Sequence, residues 1–172
     1  MPADSPLTLR VLTGAPDEMA ALQRVLAAAP AYFETITGLP PGNVEAQSTF
    51  TALPPGKSYD DKFVWGLYAD ERMIGCADVI RGYPVREKAI IGLLLLAEPW
   101  QRRGLGRAFA LLVEQVIGGW REIETLRLGV VERNAGALPL WRKLGYVETG
   151  ELTEDHAFAG NIIVMEKALS RG

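Results

Sequence analysis

The stretch from Lys88 to Val131 constrains the fold of this chain more than any other part of it. It opens with a nearly continuous apolar run at 88–96, continues into an amphipathic segment at 105–117, and closes with a second apolar run at 125–131. Apolar residues in the middle segment recur at helical spacing, and the glycine pair at 118–119 ends the pattern. Strand, helix and strand in this order predict two parallel, neighbouring strands joined by a right-handed crossover.

The segments on either side supply the rest of one domain, which we expect to span residues 7–169. Alternating and helical patterns predict strands at 7–12, 63–69, 73–80, 146–152 and 162–165, and helices at 17–29, 44–51 and 137–144. The proline-rich stretch at 30–58 shows little other regularity. Gly92, inside the first apolar run, predicts a bulge or a close backbone approach. The expected fold class is therefore α/β, with a mixed, mostly antiparallel central sheet and helices on both faces.

Composition narrows the class of protein. The chain has 172 residues, a net charge of −3, one cysteine and one histidine. The acidic balance argues against nucleic acid as the main partner. One cysteine, Cys76, cannot form an internal disulfide, which indicates a reducing compartment, and one cysteine with one histidine argues against a metal site. The polar start lacks the pattern of a signal peptide, and the apolar runs are too short to span a bilayer, so we expect a cytoplasmic protein without a membrane partner.

The chemistry of the chain is concentrated in residues 101–107, Gln-Arg-Arg-Gly-Leu-Gly-Arg, which we call the anion loop. Its two glycines leave successive backbone N–H groups and the positive end of the following helix open to one concavity. Arg102, Arg103 and Arg107 add fixed positive charge, so a pyrophosphate is the natural occupant. The loop lacks the ending of an ATP-binding P-loop and the three-glycine spacing of a dinucleotide site. On composition alone, a plain solvated helix start remains an alternative.

Two motifs resemble those of the GNAT (GCN5-related N-acetyltransferase) family. Gln101-Arg102-Arg103-Gly104-Leu105-Gly106 is similar to its Gln/Arg-x-x-Gly-x-Gly/Ala signature, and the strand before it is similar to the family's core strand. The segment from Asn134 through Ala137 and Trp141 to Gly145-Tyr146 resembles the family's Asn-x-x-Ala-x-x-x-Tyr-x-x-x-Gly-Phe. The resemblance is close over residues 61–147 and holds in outline over 7–168.

The resemblance implies a fold, a donor and a set of roles. The parallel strands would splay, and the pantetheine arm of acetyl-CoA would enter between them, against Leu94, Leu95 and Leu96. The anion loop would hold the pyrophosphate through Gln101, Arg102, Arg103, Gly104, Leu105, Gly106 and Arg107. Asn134 and Trp141 would line the arm, and the Leu95 N–H would hold the oxyanion while an amine acceptor attacks the thioester. A homodimer is compatible with the resemblance.

The chain departs from the family pattern where the family often keeps its acid and base. Trp141 stands at the place of the tyrosine acid, and an indole N–H does not act as an acid at neutral pH. Ile90 stands at the place of the base. Asp78, which interrupts an apolar strand, is our candidate base acting through water, and Tyr83 is our candidate acid, with Tyr32 as its alternative.

Several other residues are candidates for the site, and two other functions are compatible with the sequence. The lone His156 has a suitable intrinsic pKa but sits in a polar turn. Aromatic side chains that could line an acceptor pocket are Tyr32, Phe33, Tyr59 and Tyr83. The missing tyrosine acid also leaves room for a second function, a non-catalytic acyl-CoA-binding or regulatory domain of the same fold. A third, an ordinary nucleotide-phosphate binder, requires ATP to compete for the anion loop.

Overall fold

The computed structural model describes residues 6–155 and 157–170, and within them the chain forms one seven-stranded sheet flanked by helices. The strands are β1 (Leu7–Val11), β2 (Lys62–Ala69), β3 (Arg72–Arg81), β4 (Lys88–Leu96), β5 (Thr125–Val131), β6 (Val147–Thr153) and β7 (Ile162–Ala168). The helices are α1 (Pro16–Ala27), α2 (Pro30–Thr37), α3 (Glu45–Thr51), α4 (Leu105–Gly118) and α5 (Leu138–Lys143). Short 3₁₀ turns lie at Tyr59–Asp61, Glu98–Trp100 and Glu132–Ala137.

The sheet runs in the order β1-β2-β3-β4-β5-β7-β6. Its neighbours are antiparallel except for β4 and β5, which are parallel and are joined through α4. The predicted mixed, mostly antiparallel sheet with one parallel pair is therefore confirmed. His156, considered above as a base, lies outside the described residues.

Each face of the sheet buries its own core. On one face the apolar stripe of α4 packs against β5 and α5, and Phe109, Val113 and Ile117 are fully buried there. On the other face Leu22 and Leu26 of α1 pack with Cys76 of β3. Helices on both faces are thus confirmed, and Cys76 is a buried core residue.

The structure differs from the sequence prediction most clearly at α2. The sequence predicts a first helix over 17–29, but α1 already ends at Ala27, and Pro30 occupies the first turn of a new helix. A proline is tolerated there because a first-turn N–H has no helical acceptor. Gly38, at φ 80°, closes α2 in the left-handed conformation, and its N–H donates to the Glu34 carbonyl at 2.9 Å.

No helix within the described ranges combines the length and apolarity needed to cross a membrane.

Candidate active site

The site begins where β4 and β5 separate. Their parallel pairing covers only Lys88–Ile91 against Thr125–Leu128, and beyond it the two strands diverge. The β3–β4 register skips one residue at this point: Asp78 pairs with Leu93 and Val79 with Ile91, which leaves Gly92 as the bulged residue. The bulge predicted at Gly92 is confirmed. A β-carbon at Gly92 would lie 3.3 Å from Oδ2 of Asp78, so the close approach favours glycine there.

A cavity of about 690 Å³ fills the opening between the two strands, and we call it the cleft. Of the residues predicted to bind the donor, seven line it: Leu94, Leu95, Leu96, Gln101, Gly106, Asn134 and Trp141. The other five belong to the anion loop and the first turn of α4, beside the cleft: Arg102, Arg103, Gly104, Leu105 and Arg107. Chain segments distant in sequence thus meet around one cavity.

The anion loop has the backbone that its glycines predict. Gly104, the N-cap of α4, has φ 77°, and Arg102 also adopts a left-handed conformation, at φ 62°. Within the part of the chain that the structure describes, no side chain caps this helix. The N–H groups of the first helical turn have no helical acceptor, so they are open to a ligand at the positive end of the helix.

Two side chains of the loop make internal contacts. Nε2 of Gln101 donates to the Leu96 carbonyl at 2.7 Å, which ties the loop to the end of β4. The guanidinium of Arg103 lies 5.3 Å from the ring centre of Trp100. Gln101 therefore has a structural contact in addition to its place in the cleft, and the loop is held in position before any ligand binds.

The ladder between β3 and β4 decides which amides of β4 face the cleft. The N–H of Ala97 donates to the Ile74 carbonyl of β3 at 2.9 Å. N–H groups along a strand point to alternate sides, and the register is regular past the bulge, so the N–H of Leu95 also points to β3. The prediction of Leu95 as the oxyanion donor is therefore wrong, and the amides directed into the cleft are those of Leu94 and Leu96.

Trp141 forms one wall of the cleft. It lies in α5, where it is 8% exposed, and its ring meets that of Tyr146 edge-on, with centres 5.2 Å apart and planes at 77°. Asn134, in the turn after β5, has non-helical angles (φ −99°, ψ 35°) that interrupt the 3₁₀ segment. The family-like segment thus contributes two residues to the same cavity.

Another part of the cleft lining is aromatic. Tyr32 and Ile36 reach it from α2, Tyr83 from the β3–β4 connection, and Phe158 from the β6–β7 connection. Burial raises the pKa of Tyr32 to about 12, so its hydroxyl keeps its proton at neutral pH. The N–H of Ala159 donates to the Ile36 carbonyl at 2.7 Å, which fixes the Phe158 segment against α2.

Two of the aromatic residues considered from the sequence lie elsewhere. Phe33 is 8% exposed and belongs to the core under α1. Tyr59 is 60% exposed, and its hydroxyl donates to the Thr51 carbonyl at 2.7 Å. Ile36, Phe158 and Arg127, by contrast, line the cleft although no sequence motif marked them.

Asp78 lies beside the cleft, behind Gly92, and is not one of the lining residues. Its Oδ1 accepts from Lys62 Nζ at 2.9 Å, and the Lys62 side chain is only 3% exposed. Burial raises the pKa of the Asp78 carboxyl, and the ion pair with Lys62 opposes that rise. Burial likewise raises the pKa of the Cys76 thiol to about 12, which leaves it unreactive.

Arg127 of β5, which pairs with Ile90 of β4, also lines the cleft, but acidic side chains neutralise its charge. Its guanidinium donates to Glu151 at 2.8 Å and to Glu166 at 2.9 Å, and Lys88 Nζ lies 2.6 Å from the same Glu166 oxygen. The hydrogen bond to Glu151 is the main reason why the pKa of Arg127 is raised. This wall therefore offers no unpaired positive charge from Arg127.

Among the described residues, no group of three or more Cys, His, Asp and Glu could hold a metal ion.

The described residues thus form a mixed α/β sheet with one split parallel pair and a glycine-rich loop beside the split. The chain belongs to the acetyltransferase (GNAT) family, whose model matches residues 29–146. No protein of curated function matches the sequence at a significant level.

Solved structures share the fold over nearly the whole chain. An acetyltransferase from Thermus thermophilus is 24% identical with a TM-score of 0.71, covering 94% of this chain and 97% of its own. The ribosomal-protein-S18-alanine N-acetyltransferase of Escherichia coli is 19% identical with a TM-score of 0.68, at 97% and 96% coverage. Spermidine N-acetyltransferase of Vibrio cholerae, in complex with CoA and spermine, is 17% identical with a TM-score of 0.73, at 96% and 97% coverage. At these identities the likeness concerns the fold.

Proposed function

We propose that the protein transfers the acetyl group of acetyl-CoA to a primary amine by direct attack, with both substrates bound in the cleft. The observation that carries the proposal is the position of the cleft. Its lining includes residues from the glycine-rich start of α4 and, in addition, residues from the α2 and β6–β7 segments. A cavity lined both by an anion site and by these separate segments suits a reaction that joins two substrates.

The donor half of the site follows from the open backbone groups. The N–H groups of the first turn of α4 bind the pyrophosphate, and Arg102, Arg103 and Arg107 add charge around it. The pantetheine arm runs along β4 as an extra strand would, against the N–H group of Leu96. Asn134 contacts the arm, directly or through water, and Trp141 packs beside it.

The reaction needs one proton removed and one supplied. Asp78 takes the proton from the amine through a water beside Gly92, where its Oδ2 approaches the bulge. As the amine nitrogen bonds to the acyl carbon and the carbon–sulfur bond breaks, Tyr83 protonates the leaving thiolate, with Tyr32 as the alternative donor. The N–H of Leu94, the cleft-facing amide next to the bulge, stabilises the oxyanion.

The acceptor is an amine whose identity the cleft alone does not define. The structural relatives include enzymes whose names specify spermidine, the alanine of a ribosomal protein and aminoglycosides. A test panel should therefore contain polyamines, aminoglycosides and peptides with free N-termini.

We further propose a single domain at 7–169 that works in the cytoplasm, which its lone, buried cysteine supports.

A thiol-release assay with acetyl-CoA and this panel tests the proposal. Release of CoA that depends on the amine, together with an acetylated product in the mass spectrum, is the expected result. Tight binding of CoA without turnover on any amine would favour the non-catalytic acyl-CoA-binding domain instead. Displacement of CoA by ATP at comparable concentration would contradict the assignment of the anion loop.

A further inference from the structure

Two buried oxygen atoms near the cleft have no hydrogen-bond partner within residues 6–155 and 157–170: the hydroxyl of Tyr146 and Oε2 of Glu114. Tyr146 is 2% exposed and Glu114 is 9% exposed. A buried polar atom without a partner costs about 1–3 kcal/mol, so native proteins rarely leave one unsatisfied. One of these atoms is a donor and the other an acceptor, so one bridging molecule could satisfy both.

Three observations place the two side chains around the same point. Nζ of Lys167 donates to Glu114 Oε1 at 2.5 Å. The same Nζ lies 5.6 Å from the ring centre of Tyr146. Burial raises the pKa of the Tyr146 hydroxyl, and the nearby Glu114 carboxylate raises it further. Lys167 therefore connects the two groups, and the hydroxyl keeps its proton for donation.

Tyr146 also supports the wall of the cleft. Its ring packs edge-on against Trp141 at 5.2 Å, and its backbone N–H donates to the Trp141 carbonyl at 3.0 Å. Glu114 belongs to α4, the helix whose first turn carries the anion loop. A link between the Tyr146 hydroxyl and Glu114 would therefore join the two halves of the donor site through the core.

We propose that a single buried water bridges the Tyr146 hydroxyl to Glu114 Oε2, and that Tyr146 is thereby a positioning residue for Trp141. The water accepts from the hydroxyl and donates to the carboxylate, which supplies both missing hydrogen bonds. The consequence for CoA binding rests on the proposed function; the water itself does not.

Tyr146→Phe tests the bridge, because it removes the hydroxyl and keeps the ring. If the hydroxyl is bridged, the variant loses a hydrogen bond, and the ratio of folded to unfolded protein in urea titration falls about fivefold. If the hydroxyl is unsatisfied, the variant is as stable as wild type or more stable, and the bridge is wrong. Tyr68→Phe, at a tyrosine of the opposite core, is the control for loss of a tyrosine hydroxyl away from Glu114.

A double-mutant cycle with Glu114→Ala tests the partner. The loss caused by Tyr146→Phe should shrink at least about twofold in the Glu114→Ala background, because neighbouring sites that share a bond are not additive. Full additivity overturns the link. A high-resolution crystal structure should show density for one water within hydrogen-bond distance of both oxygens, and an empty space there overturns the proposal as well.

Calorimetric titration with CoA tests the positioning role. Tyr146→Phe should raise the Kd for CoA about three- to tenfold, since about 1.4 kcal/mol is tenfold. The acceptor KM should stay unchanged, which a general loss of structure would not allow. An unchanged Kd in a variant with reduced stability overturns the positioning role. If wild-type protein fails to bind CoA, the proposed function falls, and the stability cycle still decides the bridge.

Discussion

Replacing Gly104 with glutamate tests the anion loop directly. Gly104 precedes the first turn of α4 at φ 77°, and a β-carbon there meets no atom within 4 Å. A glutamate side chain therefore fits, and it places a negative charge where the phosphates are expected. Gly56 is a matched control, since it has φ 81°, equally open space, and no place in the cleft.

The expected size of the effect follows from two terms. A non-glycine residue at positive φ costs about 1–2 kcal/mol of stability, and this cost is shared by Gly104→Glu and Gly56→Glu. Repulsion between two unit charges about 4 Å apart is about 1 kcal/mol in water and about 4 kcal/mol near a protein surface. The lower value for each of the two phosphates gives about 2 kcal/mol, which corresponds to a Kd about 30-fold higher.

Calorimetric titration of both variants with CoA, after thermal scans to verify folding, measures the two terms separately. Gly104→Ala should bind CoA nearly as well as wild type, because it carries the backbone cost without the charge. The Gly104→Glu defect should also weaken as salt is added, since the repulsion is screened. A folded Gly104→Glu protein whose Kd stays within threefold of wild type would refute the pyrophosphate site.

Three further predictions concern the two proton-transfer candidates and Asp61, which pairs with Lys57 and Arg81. Asp78→Asn should lower kcat/KM about a hundredfold and flatten the rise of the rate with pH. In the wild type this rise lies above the ordinary aspartate range, because burial raises the pKa of Asp78. An unchanged pH profile removes Asp78 as the base. Tyr83→Phe should lower kcat at least about tenfold while Tyr59→Phe, at an exposed tyrosine, leaves it unchanged; equal rates would leave Tyr83 a lining residue. Asp61→Asn should cost about 1 kcal/mol in urea titration at pH 7. Its hydrogen bond from Lys57 lowers the pKa of Asp61, so that contribution is present above the unfolded pKa of about 3.9 and is lost as pH falls through the lower folded value; a difference that persists at pH 2 contradicts this account.

The sequence predicts the sheet well because each strand carries its own signal. Continuous apolar runs identify β4 and β5, and the skipped residue at Gly92 follows from a glycine in a buried strand. Helix α2 was missed because it is only eight residues long, and its proline also suits the end of the preceding helix. Its stability comes from burying Phe33 and Ile36 in tertiary contacts, which no local pattern reports.

The cleft could be predicted only on its donor side. The glycines and arginines of the anion loop predict its role, and Asn134 is placed by the resemblance of its segment to a family motif. Phe158 and Arg127 come from elements that meet only after the sheet has assembled, and neither has a local signature. The error at Leu95 has a different origin: the direction of a backbone N–H depends on the ladder with β3, which a sequence read as a single strand does not define.

The two departures from the family pattern, Ile90 and Trp141, lie around the same cavity in the structure. Ile90 and Trp141 both line the cleft, so the positions where the family often keeps its base and acid are occupied by side chains that exchange no protons at neutral pH. The titratable candidates are instead Asp78, beside the bulge at Gly92, and Tyr83, which lines the cleft. Under the proposed function, proton transfer is therefore assigned to Asp78 and Tyr83, and Trp141 contributes packing beside the pantetheine arm. Activity should therefore withstand Trp141→Phe, with a weaker KM for acetyl-CoA and little change in kcat. A large fall in kcat at saturating donor would show instead that the indole takes part in the reaction.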